Sequence, residues 1–370
     1  VLFTMVELGP GGVETNVLNL LRRLDPARFE LSLFLHHDPA AGRHAAPRAL
    51  PPHVRVAWAL RGPYRRWKLP YALKHLLTAA RQTDVIVAAQ EGRATLLACL
   101  AGMLLRKPVV GCIQFDWASA GLRMRRRQRW GLRWLCPSMR RIVACGEDSA
   151  ASLSRIARIA PGRLKVIPNF VEASRVRSCG TDASPPWADG VFAKPTVVAM
   201  GRLDEQKGFD VLIRAHAMLV RRHVDHHLLI LGEGHLRGSL TELARSLGVE
   251  RSVFMPGFVA QPFAVLRRGT LFALPSRFEG LPFALIEAMT LGLPVVASDC
   301  PSGPGEVLEG GRFGLLVPVD DPTALADALA GVLADPSRQA ELSELSRRRA
   351  ANYADVSAIP AWEELLEAAC

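Results

Sequence analysis

Four side chains in the second half of this chain have the types and spacings needed to handle a phosphorylated, hydroxyl-bearing molecule. Glu279 and Glu287 stand eight positions apart in LPSRFEGLPFALIEAMTLGLPVVASD, residues 274–299. Arg202 and Lys207 stand five apart in GRLDEQKG, residues 201–208. A carboxylate accepts hydrogen bonds from hydroxyls such as those of a ribose or a hexose. A guanidinium offers phosphate oxygens a planar fork, and an ammonium offers them a point charge. Such cations matter most when negative charge builds on a departing phosphate, because an interaction that strengthens in the transition state speeds the step.

The elements around these residues must place them. Leu271 to Leu274 reads as a short buried strand, followed by the turn Glu279-Gly280-Leu281-Pro282. Phe283 to Leu291 reads as a helix, with Phe283, Ile286, Ala288 and Met289 at helical spacing. Pro282 suits the first helical position, and Gly292 a helix end that needs positive φ. Leu293 to Ala297 is a further strand. Unpaired amides at the start of this helix, with the positive end of its dipole, make an anion site at Gly280, Leu281 and Pro282. Glu287 lies about 80° round from where Glu279 would fall on an extension of the helix, so both can face one side. Thr196 to Met200 reads as the strand that runs into GRLDEQKG, and Asp210 to Arg221 as the helix beyond it.

Two more glycine loops follow strands. Val1 to Leu8 leads into Gly9-Pro10-Gly11-Gly12 and a helix from Val13 to Leu24. This loop lacks the Lys-Ser/Thr of a P-loop and the spacing of a dinucleotide site. Leu228 to Leu231 runs into Gly232-Glu233-Gly234, a near miss to a dinucleotide fingerprint. It makes an NAD-type enzyme the alternative reading, although no acidic partner follows at the expected distance. Phe29 to His36, Val54 to Ala57, Asp84 to Ala88, Pro108 to Ile113, Arg141 to Cys145, Lys165 to Ile167, Val253 to Phe258 and Gly314 to Pro318 read as the other strands. Ala94 to Leu105 and Pro322 to Leu333 read as helices. Alternating strands and helices over 370 residues imply two α/β domains with parallel sheets. The boundaries read as 1–172, a polar linker at 173–194, and 195–353. His36 and His37, and the group His223, His226 and His227, have no completing Cys or carboxylate cluster and read as structural, so no metal is expected.

Charge divides the chain. Residues 1–180 hold 29 Lys and Arg against 11 Asp and Glu, and the remainder 17 against 24, within a net charge of +11. Arg61 to Leu77 and Gly121 to Arg141 interleave Arg and Lys with Tyr64, Trp67, Tyr71, Trp130 and Trp134. Cations with interfacial aromatics suit an anionic membrane surface, and no nucleic-acid motif accompanies them. No apolar run reaches the roughly 18 residues of a membrane span. The start, VLFTMVELGPGG, does not read as a signal peptide. Seven cysteines without a C-x-x-C pattern suggest reduced thiols and a cytoplasmic protein, peripheral on the inner face of the membrane.

Glu279 and Glu287 match the E-x7-E motif of retaining glycosyltransferases of the GT-B fold, and EGLPFALIEAMTLGLPVVAS closely resembles family 4 of that group. GRLDEQKG is similar to its G-R-x-x-x-x-K-G signature, and IVACGEDSAASL and VIPNFVE resemble the end of its first domain. The resemblance implies two doubly wound, Rossmann-like domains facing a cleft, with a terminal helix, about 354–370, returning to the first. It implies transfer of a hexose or N-acetylhexosamine from a nucleotide sugar, UDP ahead of GDP, to a lipid-linked or oligosaccharide acceptor, without metal or other cofactor. CPSGPGEVL, residues 300–308, resembles a subset linked to N-acetylhexosamine transfer. Arg202 and Lys207 would hold the diphosphate, Glu279 the hexose and Glu287 the ribose. Gly11, Gly12, Gly232, Gly234 and Val259 would also face the donor. Many members carry a His over the sugar where this chain has Gln114-Phe115-Asp116, and Asp116 is the candidate in its place. A catalytically idle nucleotide-sugar-binding scaffold is the remaining alternative.

Overall fold

The computed structural model describes residues 1–9, 11–37, 50–60, 68–114, 131, 133–157, 159–160, 162–178 and 185–370. The chain divides into two units. The first comprises Val1–Phe170 with Asp355–Cys370, the second Val171–Ala354.

In the first unit, seven strands among the described residues form one parallel sheet. They are β1 (Leu2–Met5), β2 (Ser32–His37), β3 (Arg55–Leu60), β4 (Ile86–Ala88), β5 (Val109–Ile113), β6 (Arg141–Ala144) and β7 (Leu164–Val166). Their order is β3-β2-β1-β4-β5-β6-β7. Strands buried on both faces must be apolar at successive positions. Phe3, Met5, Leu33, Leu35 and Val87 accordingly face one side, and Leu2, Phe34, Ile86 and Ala88 the other. The helices Gly12–Arg23 and Asp355–Glu367 cover the first face, the latter through Trp362, Leu365 and Leu366. Burying each such side chain contributes about 1.5–3 kcal/mol. The ion pairs that also hold this terminal helix, Arg23 with Asp355 at 2.7 Å and Lys165 with Glu364 at 2.5 Å, involve exposed cations that water screens. Apolar burial therefore decides where the helix lies.

The second unit holds β8 (Thr196–Met200), β9 (His227–Leu231), β10 (Val253–Gly257), β11 (Leu271–Leu274), β12 (Val295–Ser298) and β13 (Leu315–Val317), all parallel, in the order β10-β9-β8-β11-β12-β13. The order reverses between β8 and β11, which pair through Leu271 with Val197 and Phe272 with Val198. Connections on either side of such a reversal leave on opposite faces, and a crevice opens at the carboxyl ends of the two strands. Both GRLDEQKG and the Glu279 turn begin there.

Some elements differ from expectation. The first strand stops at Met5, not Leu8, and the second runs from Ser32 to His37. Pro336–Ala350 is a helix where none was expected, because its charged sequence buries only Leu342, Ser346 and Ala350. The described residues within 173–194, expected as a linker, include secondary structure. They contain helices Ala173–Ser178 and Ala188–Val191, with Val176, Ala188 and Val191 buried in the second unit. The Thr196 hydroxyl donates to the Val191 carbonyl at 3.1 Å. Of the two basic segments, residues 61–67, 121–130 and 132 lie outside the described residues. Tyr71 and Trp134 are exposed.

Among the described residues, three histidines are buried. His36 bonds Thr4 at 3.3 Å. His226 donates from Nδ1 to the Val224 carbonyl at 2.9 Å, so its Nε2 accepts from Nδ1–H of His216 at 2.8 Å. His216 Nε2 in turn meets the Ser252 hydroxyl at 2.8 Å. Burial lowers all three pKa values, to about 4 for His36 and about 3 for His216. These imidazoles stay neutral when folded, while the unfolded chain protonates them below its ordinary histidine pKa of about 6.5. Their contribution is full above that pH and is lost as pH falls through the window down to the folded values. Urea unfolding between about pH 6 and pH 5 is expected to show falling stability, with roughly 1 kcal/mol less loss in His216→Gln. An unchanged slope would mean that His216 titrates alike in both states.

Candidate active site

The residues at the carboxyl ends of β8 and β11 are held by close backbone approach. Gly208 has φ +62°, and a Cβ there would overlap the Pro275 carbonyl. Only glycine lets the end of the first loop press against the start of the second. Asp204 accepts the Lys207 amide at 3.3 Å and caps the short turn Glu205–Lys207. Lys207 then reaches across to Glu279, Nζ to Oε1, at 2.6 Å. The Ser276 hydroxyl donates to the same oxygen at 2.6 Å. The side chains of Lys207 and Glu279 are 15% and 6% exposed, so the pair is largely removed from water.

Arg202 is placed differently. Its guanidinium is 61% exposed, 3.2 Å from Asp204 and 3.2 Å from the Gln206 side-chain oxygen. It stands open to an anion beside the buried pair. Behind it, Gly232 and Gly234 follow β9. A Cβ on either would overlap a backbone oxygen, of Gly201 and of Leu203 respectively. The Leu203 amide donates to the Glu233 carbonyl at 3.0 Å, and the Leu236 amide to the Leu203 carbonyl at 3.1 Å. In the structure these two glycines support the Arg202 loop.

Arg277 staples both loops. It meets Asp210 through two bonds of 3.0 and 2.8 Å, the Glu205 carbonyl at 2.7 Å and Asp320 at 2.7 Å. Burial pushes the Asp210 carboxyl up, but Arg277 and two backbone amides outweigh it, and its pKa lies below the ordinary value.

Gly280, Leu281 and Pro282 are buried in the turn after Glu279. Pro282 is the N-cap, with ψ 107°, and the helix runs Phe283–Thr290. Proline therefore sits one place outside the helix, and its carbonyl accepts from Leu285 and Ile286 at 3.2 and 3.3 Å. Glu279 belongs to a loop, so an angle drawn on an extended helix does not describe its relation to Glu287. Glu287 is buried, within the second turn of that helix. Gly292 has φ +80°, as a helix end requires. Val259 is half-buried beyond β10, beside an exposed Phe258.

Arg202, Lys207, Glu279, Gly280, Leu281 and Pro282 thus lie on the loops that leave β8 and β11 in the second unit, and Glu287 on the helix that follows. Gly11 and Gly12 belong to the first unit, Gly11 as N-cap of the first helix and Gly12 as its first residue. Asp116 lies outside the described residues. The neighbouring Gln114 is buried, its amide held by Glu91 at 2.7 Å. Sequence reasoning missed Gln206, Ser276, Ser302 and Gly303.

Two family models match the chain, one described as Glycosyltransferase Family 4 over residues 10–175 and one as Glycosyl transferases group 1 over residues 194–335. An uncharacterized glycosyltransferase of Methanocaldococcus jannaschii is 34% identical over 147 residues, 40% of this chain and 36% of that protein. The chain thus matches about a third of that relative's length. A Campylobacter jejuni relative is 25% identical over 354 residues, 93% of this chain and 92% of its own. Its name is N-acetylgalactosamine-N,N'-diacetylbacillosaminyl-diphospho-undecaprenol 4-alpha-N-acetylgalactosaminyltransferase. The crystal structure of Anabaena Alr3699/HepE in complex with UDP and glucose has a TM-score of 0.82 at 21% identity, covering 99% of both chains, a likeness of fold.

Removing one partner of a buried ion pair leaves an uncompensated charge and costs about 3–5 kcal/mol. Lys207→Met and Glu279→Gln are each expected to lower stability by an amount of that order. The double variant is expected to recover most of it in urea unfolding, since neither charge is then left alone. Additive losses would mean that the two groups do not interact.

Proposed function

Because the chain belongs to the family 4, group 1 glycosyltransferases of GT-B fold, we propose that it moves a hexose or N-acetylhexosamine, with retention, from a nucleotide sugar to a lipid-linked or glycan acceptor. The observation that carries this reading is the pairing of Lys207 with Glu279 where β8 and β11 end, with Arg202 on the same loop as Lys207 and Glu287 on the helix that follows. Cations for a diphosphate and carboxylates for sugar hydroxyls then share one edge of one sheet. UDP is favoured over GDP, since the Anabaena neighbour holds UDP and glucose. The Campylobacter relative, named for transfer to a diphospho-undecaprenol lipid, favours a lipid-linked acceptor in surface polysaccharide synthesis.

In this reading the diphosphate lies against Arg202, Lys207 and the amides of the turn from Glu279 to Leu281. Glu287 accepts from the ribose hydroxyls. Glu279, held by Lys207 and Ser276 through Oε1, accepts from the hexose through Oε2 and is not a nucleophile. The bond between the anomeric carbon and the β-phosphate oxygen breaks. The acceptor oxygen bonds to that carbon on the same face, and its proton passes to the leaving phosphate. The charge left on the diphosphate falls to Arg202 and Lys207, which serve where other transferases use a divalent metal. Gly232, Gly234 and Val259 shape the donor side. Gly11 and Gly12 are assigned to the donor, and Asp116 to the acceptor, which the first unit takes. That unit's basic charge suits a peripheral place on the anionic inner face of the membrane. No helix among the described residues is long and apolar enough to cross a membrane.

A thermal-shift titration with UDP, GDP, ADP and NAD tests the donor. Stabilisation by UDP or GDP is expected, since a ligand that binds only the folded state raises its stability; a response to NAD alone would overturn the reading. Arg202→Ala is expected to lower turnover by roughly 10²-fold, as loss of a transition-state charge contact does, with no dependence on EDTA. Glu287→Ala is expected to weaken UDP by about 1.5–3 kcal/mol and leave 2′,3′-dideoxy-UDP unchanged. Equal losses for both nucleotides would remove Glu287 from the ribose.

A further inference from the structure

The turn that carries Glu279 is gripped from two sides by side chains with no assigned part in the reaction. Gln206, 9% exposed, donates from Nε2 to the Phe278 carbonyl at 2.9 Å. Its own carbonyl accepts the Arg277 amide at 2.8 Å. On the other side Ser302, 8% exposed, donates from its hydroxyl to the Glu279 carbonyl at 2.7 Å. The next residue, Gly303, has φ +82°. A Cβ there would overlap the Gly280 carbonyl and stand 2.9 Å from Pro282 Cδ.

These bonds fall on two successive peptide planes. A peptide is planar and trans, so its carbonyl and the amide of the following residue point in opposite directions. Holding the Phe278 carbonyl toward Gln206 turns the Glu279 amide away from Gln206. Holding the Glu279 carbonyl toward Ser302 likewise turns the Gly280 amide away from Ser302. Glycine has the freest backbone of any residue, so the Gly280 peptide would otherwise rotate most easily. Backbone amides stabilise an anion only if they already point at it, because reorienting them during the reaction spends the energy they would supply.

We propose that Gln206 and Ser302 are positioning residues that set the direction of the Glu279 and Gly280 amides toward the donor diphosphate. The inference rests on the donor-site reading and extends it to two residues that touch neither sugar nor base. Gln206 also accepts from Arg202 at 3.2 Å, so a second role has to be separated from the first. Glutamate at 206 can still accept from Arg202 but cannot donate to the Phe278 carbonyl, whereas methionine does neither.

The test measures affinity for UDP and for uridine, with apo unfolding midpoints, in wild type, Gln206→Met, Gln206→Glu and Ser302→Ala. GDP and guanosine replace them if the wild type holds the guanine nucleotide. Affinity for the diphosphate is expected to fall about tenfold in all three variants, the loss of roughly one well-made hydrogen bond. Affinity for the nucleoside is expected to stay within twofold. Parallel losses for nucleoside and diphosphate would indicate a merely structural role and overturn the proposal. So would wild-type UDP affinity in Ser302→Ala, or in Gln206→Glu, which would leave Gln206 serving Arg202 alone. A wild type that binds neither diphosphate would remove the donor site itself, and this inference with it. If Ser302→Ala does not fold, the two Gln206 variants still decide the outcome.

Discussion

The second unit's site depends on one buried contact, the 2.6 Å ion pair between Lys207 and Glu279. Two opposite charges taken out of water are costly unless their geometry is good and further hydrogen bonds help. Ser276 supplies such a bond on the carboxylate side, and the Asp204 cap fixes the turn that aims the lysine. The pair joins loops from β8 and β11, strands on either side of the point where the sheet order reverses. Any displacement of one loop would leave a largely buried charge without its partner, so the pair holds the two loops together.

Glycine makes that closeness possible. Gly208 against Pro275, Gly232 against Gly201, and Gly303 against Gly280 are three places where a Cβ would overlap a carbonyl oxygen. Each brings one loop's backbone onto another's. The open guanidinium of Arg202 stands at the front of this assembly, while Lys207 is sunk within it. The two cations therefore differ in surroundings: Arg202 is largely exposed beside Asp204, whereas Lys207 is buried against Glu279.

Much of this was legible in the residues themselves. Apolar runs separated by glycine turns and amphipathic stretches were enough to read two parallel α/β sheets, because a strand buried on both faces cannot be polar. The strand Leu271–Leu274 followed from local pattern, and the placement of Arg202, Lys207 and Glu279 in one domain was implied by the family resemblance. Element ends were less legible, since a strand stops where its neighbour's ladder stops, as β1 does at Met5. The helices within 173–194 were hidden by a polar composition that takes its few buried residues from the rest of the second unit.

What the sequence determined by itself was the inventory, namely the cations, the carboxylates, the glycines and the periodicities that place each on a loop after a strand. Only the tertiary structure decided that Lys207 pairs with Glu279, that Arg202 does not, and that Gln206 and Ser302 hold the carbonyls of Phe278 and Glu279. Those partners lie 23 to 72 positions apart along the chain, apart from the Arg202–Gln206 contact. Hydrogen bonds to backbone carbonyls leave no mark in residue type, because every residue offers the same acceptor. Which carbonyl a glutamine or serine meets is set by how the sheet brings distant loops together.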